Sequence, residues 1–163
     1  MMKTIYLAGG CFWGLEKYFS LVKGIFKTEV GYANGTIDRP SYEDLKSGLD
    51  DAAETVKIEY DDSIISLEKI IELYLRVVNP YSYNEQGGDK GVQYRTGIYF
   101  TEATEKSSII KYLQQNIEET HHIEVKPLTK YFAAEQYHQN YLDKHPQGYC
   151  HIDMTKLRTD EMK

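Results

Sequence analysis

The segment Thr4-Ile5-Tyr6-Leu7-Ala8-Gly9-Gly10-Cys11-Phe12-Trp13-Gly14 leads the chain from a predicted strand into a predicted helix. Residues 4–8 are an apolar run, and after the two glycines apolar side chains recur at helical spacing, at Phe12, Leu15, Phe19 and Val22. This spacing predicts a helix from about Cys11 to Val22, which Gly24 ends. Cys11 is therefore expected at the first helical turn, where free backbone N–H groups and the positive end of the dipole favour a thiolate and lower the pKa of the thiol.

The composition of the 163-residue chain is that of one globular domain. Hydrophobic residues make up 41% and charged residues 27% of the chain, which excludes a wholly disordered protein. A net charge of −6 without any basic stripe argues against nucleic-acid binding. The first apolar run is too short for a signal peptide, and no run approaches the roughly 18 apolar residues of a membrane span. We expect a soluble, cytoplasmic monomer, in which two cysteines indicate catalytic or redox chemistry rather than a structural bridge.

The order of the predicted elements indicates an α+β fold. Beyond the first helix, the apolar patterns predict strands at about residues 25–32, 54–60 and 93–100, and a helix that begins after Ser66 and stops at Asn79-Pro80. The order strand, helix, strand, strand, helix, strand is that of a two-layer, ferredoxin-like βαββαβ sandwich with helices on one face of the sheet.

Further elements are predicted outside this core. They are a short helical turn around residues 41–46, a helix from a Thr101 cap to about Glu118, a short strand at residues 123–127, a helix at residues 134–144 and an irregular tail at residues 146–163 that carries Cys150. The whole chain, residues 1–163, is expected to form a single catalytic domain.

Several dispersed sequence blocks resemble one known family in their order and spacing. The blocks are Gly10-Cys11-Phe12-Trp13-Gly14, Gly31-Tyr32-Ala33-Asn34-Gly35, Ser41-Tyr42-Glu43, Ala53-Glu54, Asp89-Lys90-Gly91-Val92-Gln93-Tyr94-Arg95, Ala134-Glu135-Gln136-Tyr137-His138-Gln139 and Gly148-Tyr149-Cys150. They span almost the whole chain and are similar to those of the A-type peptide methionine sulfoxide reductases.

The resemblance implies a role for individual residues. It implies Cys11 as the nucleophile, Glu54 as the proton donor, Tyr42 and Tyr94 as hydrogen-bond donors to the sulfoxide oxygen, Phe12 and Trp13 as the methyl pocket, Asp89 as a substrate-orienting residue and Cys150 as the resolving thiol. The family reduces the S epimer of methionine sulfoxide, free or in proteins. It uses thioredoxin as reductant and neither a metal nor an organic cofactor.

Two positions depart from the family pattern. The family usually has a histidine where this chain has Ala52, so any role of that imidazole is absent. Many bacterial relatives carry a second, recycling cysteine, whereas this sequence runs to Lys163 without one. Thioredoxin is therefore expected to attack a Cys11–Cys150 disulfide directly.

The implied chemistry requires Glu54 to be protonated. A thiolate attacks the sulfoxide sulfur most easily when the oxygen receives a proton in the same event. An ordinary glutamate with a pKa near 4.3 is ionised at neutral pH. Desolvation beside Phe12 and Trp13 is therefore expected to raise the pKa of Glu54, and the carboxyl and the thiol are expected to titrate as a coupled pair.

The residues taken alone leave other interpretations open. Cys11 could be a small buried hydrophobe, Glu54 a solvated strand-edge charge and Cys150 an inert tail thiol. A cysteine hydrolase would use Cys11 as nucleophile and His138 as base. A non-enzymatic redox sensor would merely oxidise at Cys11. His121-His122 has no cysteine or carboxylate at ligand spacing, so no metal site is expected.

Overall fold

The computed structural model describes residues 1–163 as a mixed α+β protein, which confirms the predicted class. The strands are β1 (Met2–Ala8), β2 (Ile25–Ala33), β3 (Ala53–Asp61), β4 (Glu85–Gln86), β5 (Asp89–Lys90), β6 (Gly97–Phe100), β7 (Glu124–Pro127) and β8 (Tyr131–Ala133). The helices are α1 (Phe12–Ser20), α2 (Tyr42–Lys46), α3 (Leu67–Leu75), α4 (Ala103–Asn116) and α5 (Tyr141–Lys144). None of them combines the length and the apolar character needed to span a bilayer.

Six strands form one sheet in the order β7-β6-β1-β3-β2-β8, and β4 and β5 form a separate small hairpin. Neighbouring strands of the large sheet are antiparallel except β6 and β7, which are parallel. Strand β3 lies between β1 and β2, so that Val56 pairs with Leu7 on one side and with Val30 on the other. Residues near the start of β3 therefore lie close to the end of β1, where α1 begins.

The two faces of the sheet bury different amounts of apolar surface. One face packs with the helices into a core of 29 buried residues, and the other covers a small cluster that contains Tyr6 and Tyr99. Val56 and Ile58 of β3 belong to the large core. Because side chains alternate along a strand, Glu54 points to the same face as these two residues. Strand periodicity thus directs a carboxyl group into the core at the beginning of α1.

Three predicted elements differ from the structure. The strand at residues 93–100 is wrong in its first half, because Val92–Tyr94 form a 3-10 turn after Gly91, whose φ is 138°. Thr101 is not the N-cap residue of α4; Glu102 is, and its backbone N–H donates to Glu105 Oε1 at 3.2 Å. The single helix at residues 134–144 is also wrong, because Asn140, with φ 53°, separates a 3-10 turn at Gln136–His138 from α5. Strand β8 was not predicted.

The tail is irregular apart from two 3-10 turns, Met154–Lys156 and Thr159–Glu161. Its end is attached to the body of the protein by a β-bridge between Val22 and Met162 and by the Glu161 carboxylate, which lies 2.7 Å from the Arg76 guanidinium. That guanidinium holds the pKa of Glu161 well below its ordinary range. The segment around Cys150 is therefore held at its C-terminal side rather than trailing freely.

Candidate active site

Cys11 is the N-cap residue of α1, directly after strand β1 and the two glycines. The residue is 7% exposed and its thiol is free. Gly10, with φ 79°, makes the sharp turn that brings the sulfur to the helix end. A Cβ atom at this position would lie only 2.7 Å from the His151 ring and from the Gln86 side chain. Glycine is required here by both backbone conformation and space.

Glu54 is a carboxyl buried at the same helix end, with 1% exposure. Its Oε1 accepts a hydrogen bond from the Phe12 backbone N–H at 3.2 Å, and its Oε2 accepts one from Gln93 Nε2 at 2.8 Å. The first free amide of α1 therefore serves the carboxyl group. The Trp13 amide, one residue later, interacts with the Cys11 sulfur and lowers the pKa of that thiol. Backbone amides at the N-terminus of α1 thus interact with both the Glu54 carboxyl and the Cys11 thiol.

Burial governs the ionisation of this pair. Desolvation raises the pKa of Glu54 to about 8, against the hydrogen bonds from Gln93 and Phe12, so the expected upward shift is present. Desolvation also raises the pKa of the Cys11 thiol, and the negative charge of Glu54 raises it further. The prediction that the helix N-terminus lowers the thiol pKa is therefore wrong for this site, because the loss of solvent outweighs the single amide of Trp13. Both groups hold their protons at neutral pH.

The raised pKa of Glu54 predicts a pH-dependent stability. The contribution of this carboxyl is present in full below the ordinary pKa of 4.5 and is lost as the pH rises to about 8, because the unfolded chain ionises first. This shift corresponds to at most roughly 5 kcal/mol. Urea unfolding should be measured for the wild type and for Glu54→Gln between pH 5 and pH 8. As the pH rises, the free energy of unfolding of the wild type should fall relative to that of the variant. A constant difference would contradict a buried, neutral Glu54.

Two aromatic side chains, Phe12 and Trp13, follow Cys11 directly in the first turn of α1. Phe12 is 1% exposed, and its ring centroid lies 5.3 Å from that of His138. The Trp13 indole stacks on Tyr141 at 3.8 Å with an interplanar angle of 10°, and its Nε1 donates a hydrogen bond to His138 Nδ1 at 3.0 Å. Two contacts therefore fix the plane of the indole next to Cys11, which suits a pocket for a small apolar group.

His138 is not arranged as a base for Cys11. Its Nδ1 accepts from Trp13, and its Nε2 is buried without a hydrogen-bond partner. Burial lowers the pKa of the imidazole. A cysteine hydrolase requires a hydrogen bond between nucleophile and base, and no such bond joins His138 to Cys11. His138 instead supports the indole of Trp13.

Tyr42 and Tyr94 bring phenolic hydroxyl groups to the site from two separate segments. Tyr42 is the first residue of α2, where its backbone N–H donates to Glu135 at 3.1 Å. Tyr94 ends the 3-10 turn, and its carbonyl accepts from the Gly10 N–H at 3.2 Å. Burial, followed by the charge of Glu54, raises the pKa of Tyr42 to about 12 and raises that of Tyr94 as well. Both hydroxyls are protonated donors at neutral pH.

The tail places Cys150 against the first turn of α1. A Cβ atom on Gly14 would lie 3.0 Å from Cys150 Sγ, and Gly14 follows Cys11 by three residues on the same side of the helix. The Cys150 thiol is exposed and free, and it donates to the Ile152 carbonyl at 3.3 Å. Because the tail packs on Gly14, a larger side chain at this position would press against Cys150.

The residues on either side of Cys150 form hydrogen bonds that attach the tail to the segments around Cys11. The Tyr149 hydroxyl donates to Asp89 Oδ2 at 2.8 Å, and His151 Nε2 donates to the Gly9 carbonyl at 3.2 Å. Asp89 belongs to the small hairpin of β4 and β5 and is half-buried. The structure thus gathers all eight predicted site residues around one helix end: Cys11, Phe12, Trp13, Tyr42, Glu54, Tyr94, Asp89 and Cys150. It contains no group of three or more His, Cys, Asp or Glu side chains arranged to hold a metal ion.

Two residues of the site had no predicted role. Gln93 bonds the Glu54 carboxyl, and Glu135 accepts from the Tyr32 hydroxyl at 2.7 Å as well as from the Tyr42 amide. The only signal for either in the sequence was membership of a block that resembled the family. A glutamine in a predicted strand is indistinguishable from a surface residue until the fold buries it.

Comparisons with known proteins agree on one family. A model of the family described as peptide methionine sulfoxide reductase matches residues 3–163. A relative named peptide methionine sulfoxide reductase MsrA, from Lachnoclostridium phytofermentans, is 53% identical over 155 residues, covering 93% of each chain. The reduced form of Mxr1 from Saccharomyces cerevisiae is 36% identical, with a TM-score of 0.86 over 91% of this chain and 88% of that chain. Mxr1 in complex with Trx2 matches at 22% identity and a TM-score of 0.58, covering 86% of this chain and 84% of that chain, and shows a similar fold.

Proposed function

The chain belongs to the peptide methionine sulfoxide reductase family, as an A-type member, and from this premise we propose that it reduces methionine-S-sulfoxide, free or in peptides, through Cys11. The observation that carries the proposal is the buried carboxyl of Glu54, which accepts a hydrogen bond from the Phe12 amide next to the free Cys11 thiol at the N-terminus of α1. Burial raises the pKa of this carboxyl. A sulfoxide has an apolar methyl group and a polar oxygen. The rings of Phe12 and Trp13 suit the methyl group. The Glu54 carboxyl and the hydroxyls of Tyr42 and Tyr94, which can donate hydrogen bonds, suit the oxygen.

In the first step the Cys11 sulfur attacks the sulfur of the sulfoxide. An S–S bond forms between the two sulfurs as the S–O bond of the substrate breaks, and the protonated oxygen leaves as hydroxide. The hydroxide then attacks the Cys11 sulfur and the S–S bond breaks, so that Cys11 becomes a sulfenic acid. The methionine sulfur gains the two electrons that the cysteine sulfur loses. Methionine then leaves the site.

One proton moves through Glu54 during this step. The carboxyl gives its proton to the departing oxygen, and the thiol proton passes to Glu54, so that the carboxyl is neutral again when the sulfenic acid has formed. The hydroxyl groups of Tyr42 and Tyr94 donate hydrogen bonds to the oxygen while it carries negative charge, in a site that excludes water. Asp89 orients the substrate from the hairpin.

In the second step the Cys150 thiol attacks the sulfenic sulfur of Cys11. A disulfide forms and the oxygen leaves as water. The packing of Cys150 on the first turn of α1, next to Gly14, supports this pairing. The disulfide is then reduced by the dithiol of thioredoxin, which supplies two electrons and two protons. The exposure of Cys150 and the solved complex of yeast Mxr1 with Trx2 support this partner.

The test is an epimer-resolved assay with the purified protein. Racemic methionine sulfoxide is incubated with the enzyme and with thioredoxin, thioredoxin reductase and NADPH as the only electron source. We expect consumption of the S epimer alone, with one NADPH oxidised per methionine formed. Reduction of neither epimer, or thiol-dependent ester hydrolysis without a reductant, would overturn the proposal.

Replacing Glu54 with glutamine should slow the chemical step about 10²- to 10⁴-fold, because the variant has no acidic proton to give. Substrate binding should change little, since glutamine keeps the shape of the side chain. A rapid-quench measurement of methionine formed in a single turnover checks this. Glu16→Gln is the matched control, because Glu16 is also a buried carboxyl of low exposure, at 2%, but bonds Thr28 and Asn140. Equal rates for Glu54→Gln and the wild type would reject the acid role.

We also propose that the central part of the fold is a ferredoxin-like core. The antiparallel order β6-β1-β3-β2, with α1 between β1 and β2 and α3 between β3 and β6, supports this assignment. Strands β7 and β8 extend it at its two edges.

A further inference from the structure

The Glu54 carboxyl is buried without any positive charge beside it. No salt bridge includes Glu54, and its only hydrogen-bond donors are Gln93 Nε2 and the Phe12 amide. The titratable groups that face it from the surrounding elements are all neutral or acidic: Cys11, Tyr32, Tyr42, Asp89 and Tyr94. Gln93 is thus the one side chain that stabilises a charge on this carboxyl.

Gln93 is held rigidly in the position from which it donates. It is 8% exposed and lies in the middle of the Val92–Tyr94 turn. The Arg95 guanidinium fixes this turn, because its Nη1 donates to the carbonyls of Val92 at 2.9 Å and Asp51 at 2.7 Å. The amide of Gly10, the neighbour of Cys11, donates to the Tyr94 carbonyl at 3.2 Å on the other side. The amide group of Gln93 therefore has little freedom to leave Glu54.

We propose that Gln93 is a positioning residue of the reaction, which holds the Glu54 carboxyl in place and stabilises it as an anion while its proton is on the substrate oxygen. The inference rests on the proposed function of Glu54 as the acid. A carboxyl in an apolar pocket without a donor would hold its proton too firmly to release it, whereas a carboxyl beside a cation would stay ionised. A neutral amide such as that of Gln93 stabilises the carboxylate less than a cation would and more than an apolar pocket would. The acid can both lose and regain its proton.

The test combines the titration of Glu54 with single-turnover kinetics. The carboxyl is followed by ¹³C NMR, with its signal assigned by comparison with Glu54→Gln, and the wild-type midpoint is expected near pH 8. Gln93→Met keeps the size of the side chain and removes the donor. Its midpoint should rise by about one to two pH units, since a hydrogen bond to a charged group is lost. Its single-turnover rate should fall about 10- to 100-fold with an unchanged KM.

Matched variants separate this role from general packing. Gln139→Met also removes a glutamine amide, which clamps the Val30 backbone at 2.9 Å and 2.8 Å, and should lower stability without moving the Glu54 midpoint. Gln93→Asn is too short to reach Glu54 and should reproduce the rise in midpoint in a chain that keeps a polar residue at this position.

A folded Gln93→Met or Gln93→Asn protein with the wild-type midpoint and rate would overturn the inference. So would an equal shift in Gln139→Met. A wild-type protein that reduces no methionine sulfoxide would instead refute the proposed function, and the NMR midpoints would still report whether Gln93 stabilises the carboxylate.

Discussion

Cys11→Ser should reduce no methionine sulfoxide above the uncatalysed background, a loss of at least about 10⁴-fold in the rate of the first step. A serine hydroxyl at this position cannot take the sulfoxide oxygen and become a sulfenic acid, because that oxidation requires sulfur. The measurement is methionine formed in a single turnover, without any reductant, by rapid quench and chromatography.

The fold of this variant is expected to persist, because serine is a favourable N-cap residue and is close in size to cysteine. Thermal unfolding and the ¹³C signal of Glu54 serve as controls. The Glu54 midpoint should stay near pH 8, since its largest cause is desolvation by the surrounding protein and not the thiol. A Cys11→Ser protein that still forms methionine would remove Cys11 from the reaction and transfer the role to another group.

Cys150→Ser should complete one turnover and then stop when thioredoxin is the only reductant. One equivalent of methionine per protein is expected, since the first step needs only Cys11 and the acid. Without the Cys150 thiol the sulfenic acid has no partner with which to form a disulfide. Intact mass spectrometry should find an added mass of about 16 Da on Cys11, corresponding to one oxygen atom.

Reduction by dithiothreitol is a control for the Cys150→Ser variant, which stops after one turnover with thioredoxin. Dithiothreitol, a small dithiol, can reach an enclosed sulfenic acid, and it should restore repeated turnover if the rest of the site is intact. Sustained turnover of Cys150→Ser with thioredoxin alone would show that Cys150 is not needed. Failure of even the first turnover would mean that the tail contributes to substrate binding, through contacts such as that between Tyr149 and Asp89.

The predicted and observed elements agree where local patterns decide the structure. Strand β3 alternates apolar and charged side chains, and its existence follows from that alternation. The burial of Glu54 did not, since the residues alone left a solvated strand-edge charge open. Ser66 caps α3 as its sequence indicates, accepting a hydrogen bond from the Lys69 amide. Two of the errors, the strand at residues 93–100 and the helix at residues 134–144, occur where single backbone angles interrupt a pattern, at Gly91 and Asn140. Such interruptions leave the hydrophobic spacing on either side unchanged, so spacing alone does not reveal them.

The sequence and the resemblance indicated the residue types of the site and the raised pKa of Glu54, but not the ionisation of Cys11. The resemblance pointed to Cys11, Glu54 and Cys150, which lie far apart in the chain. It did not indicate that Gln93 would supply the side-chain donor to Glu54. Nor did the position of Cys11 at a helix N-terminus indicate that burial would raise the pKa of its thiol.

The sequence by itself determined the class of fold, the cysteine at a helix N-terminus and the strand that contains Glu54, because these depend on residues close together along the chain. Only the tertiary structure decided the protonation of Cys11, the use of Gln93 and the position of Cys150 beside Gly14. The physical reason is that a pKa and a hydrogen-bond partner depend on the solvent excluded and the groups assembled by distant segments. The spacing of residues along the chain indicates neither the pKa nor the hydrogen-bond partner.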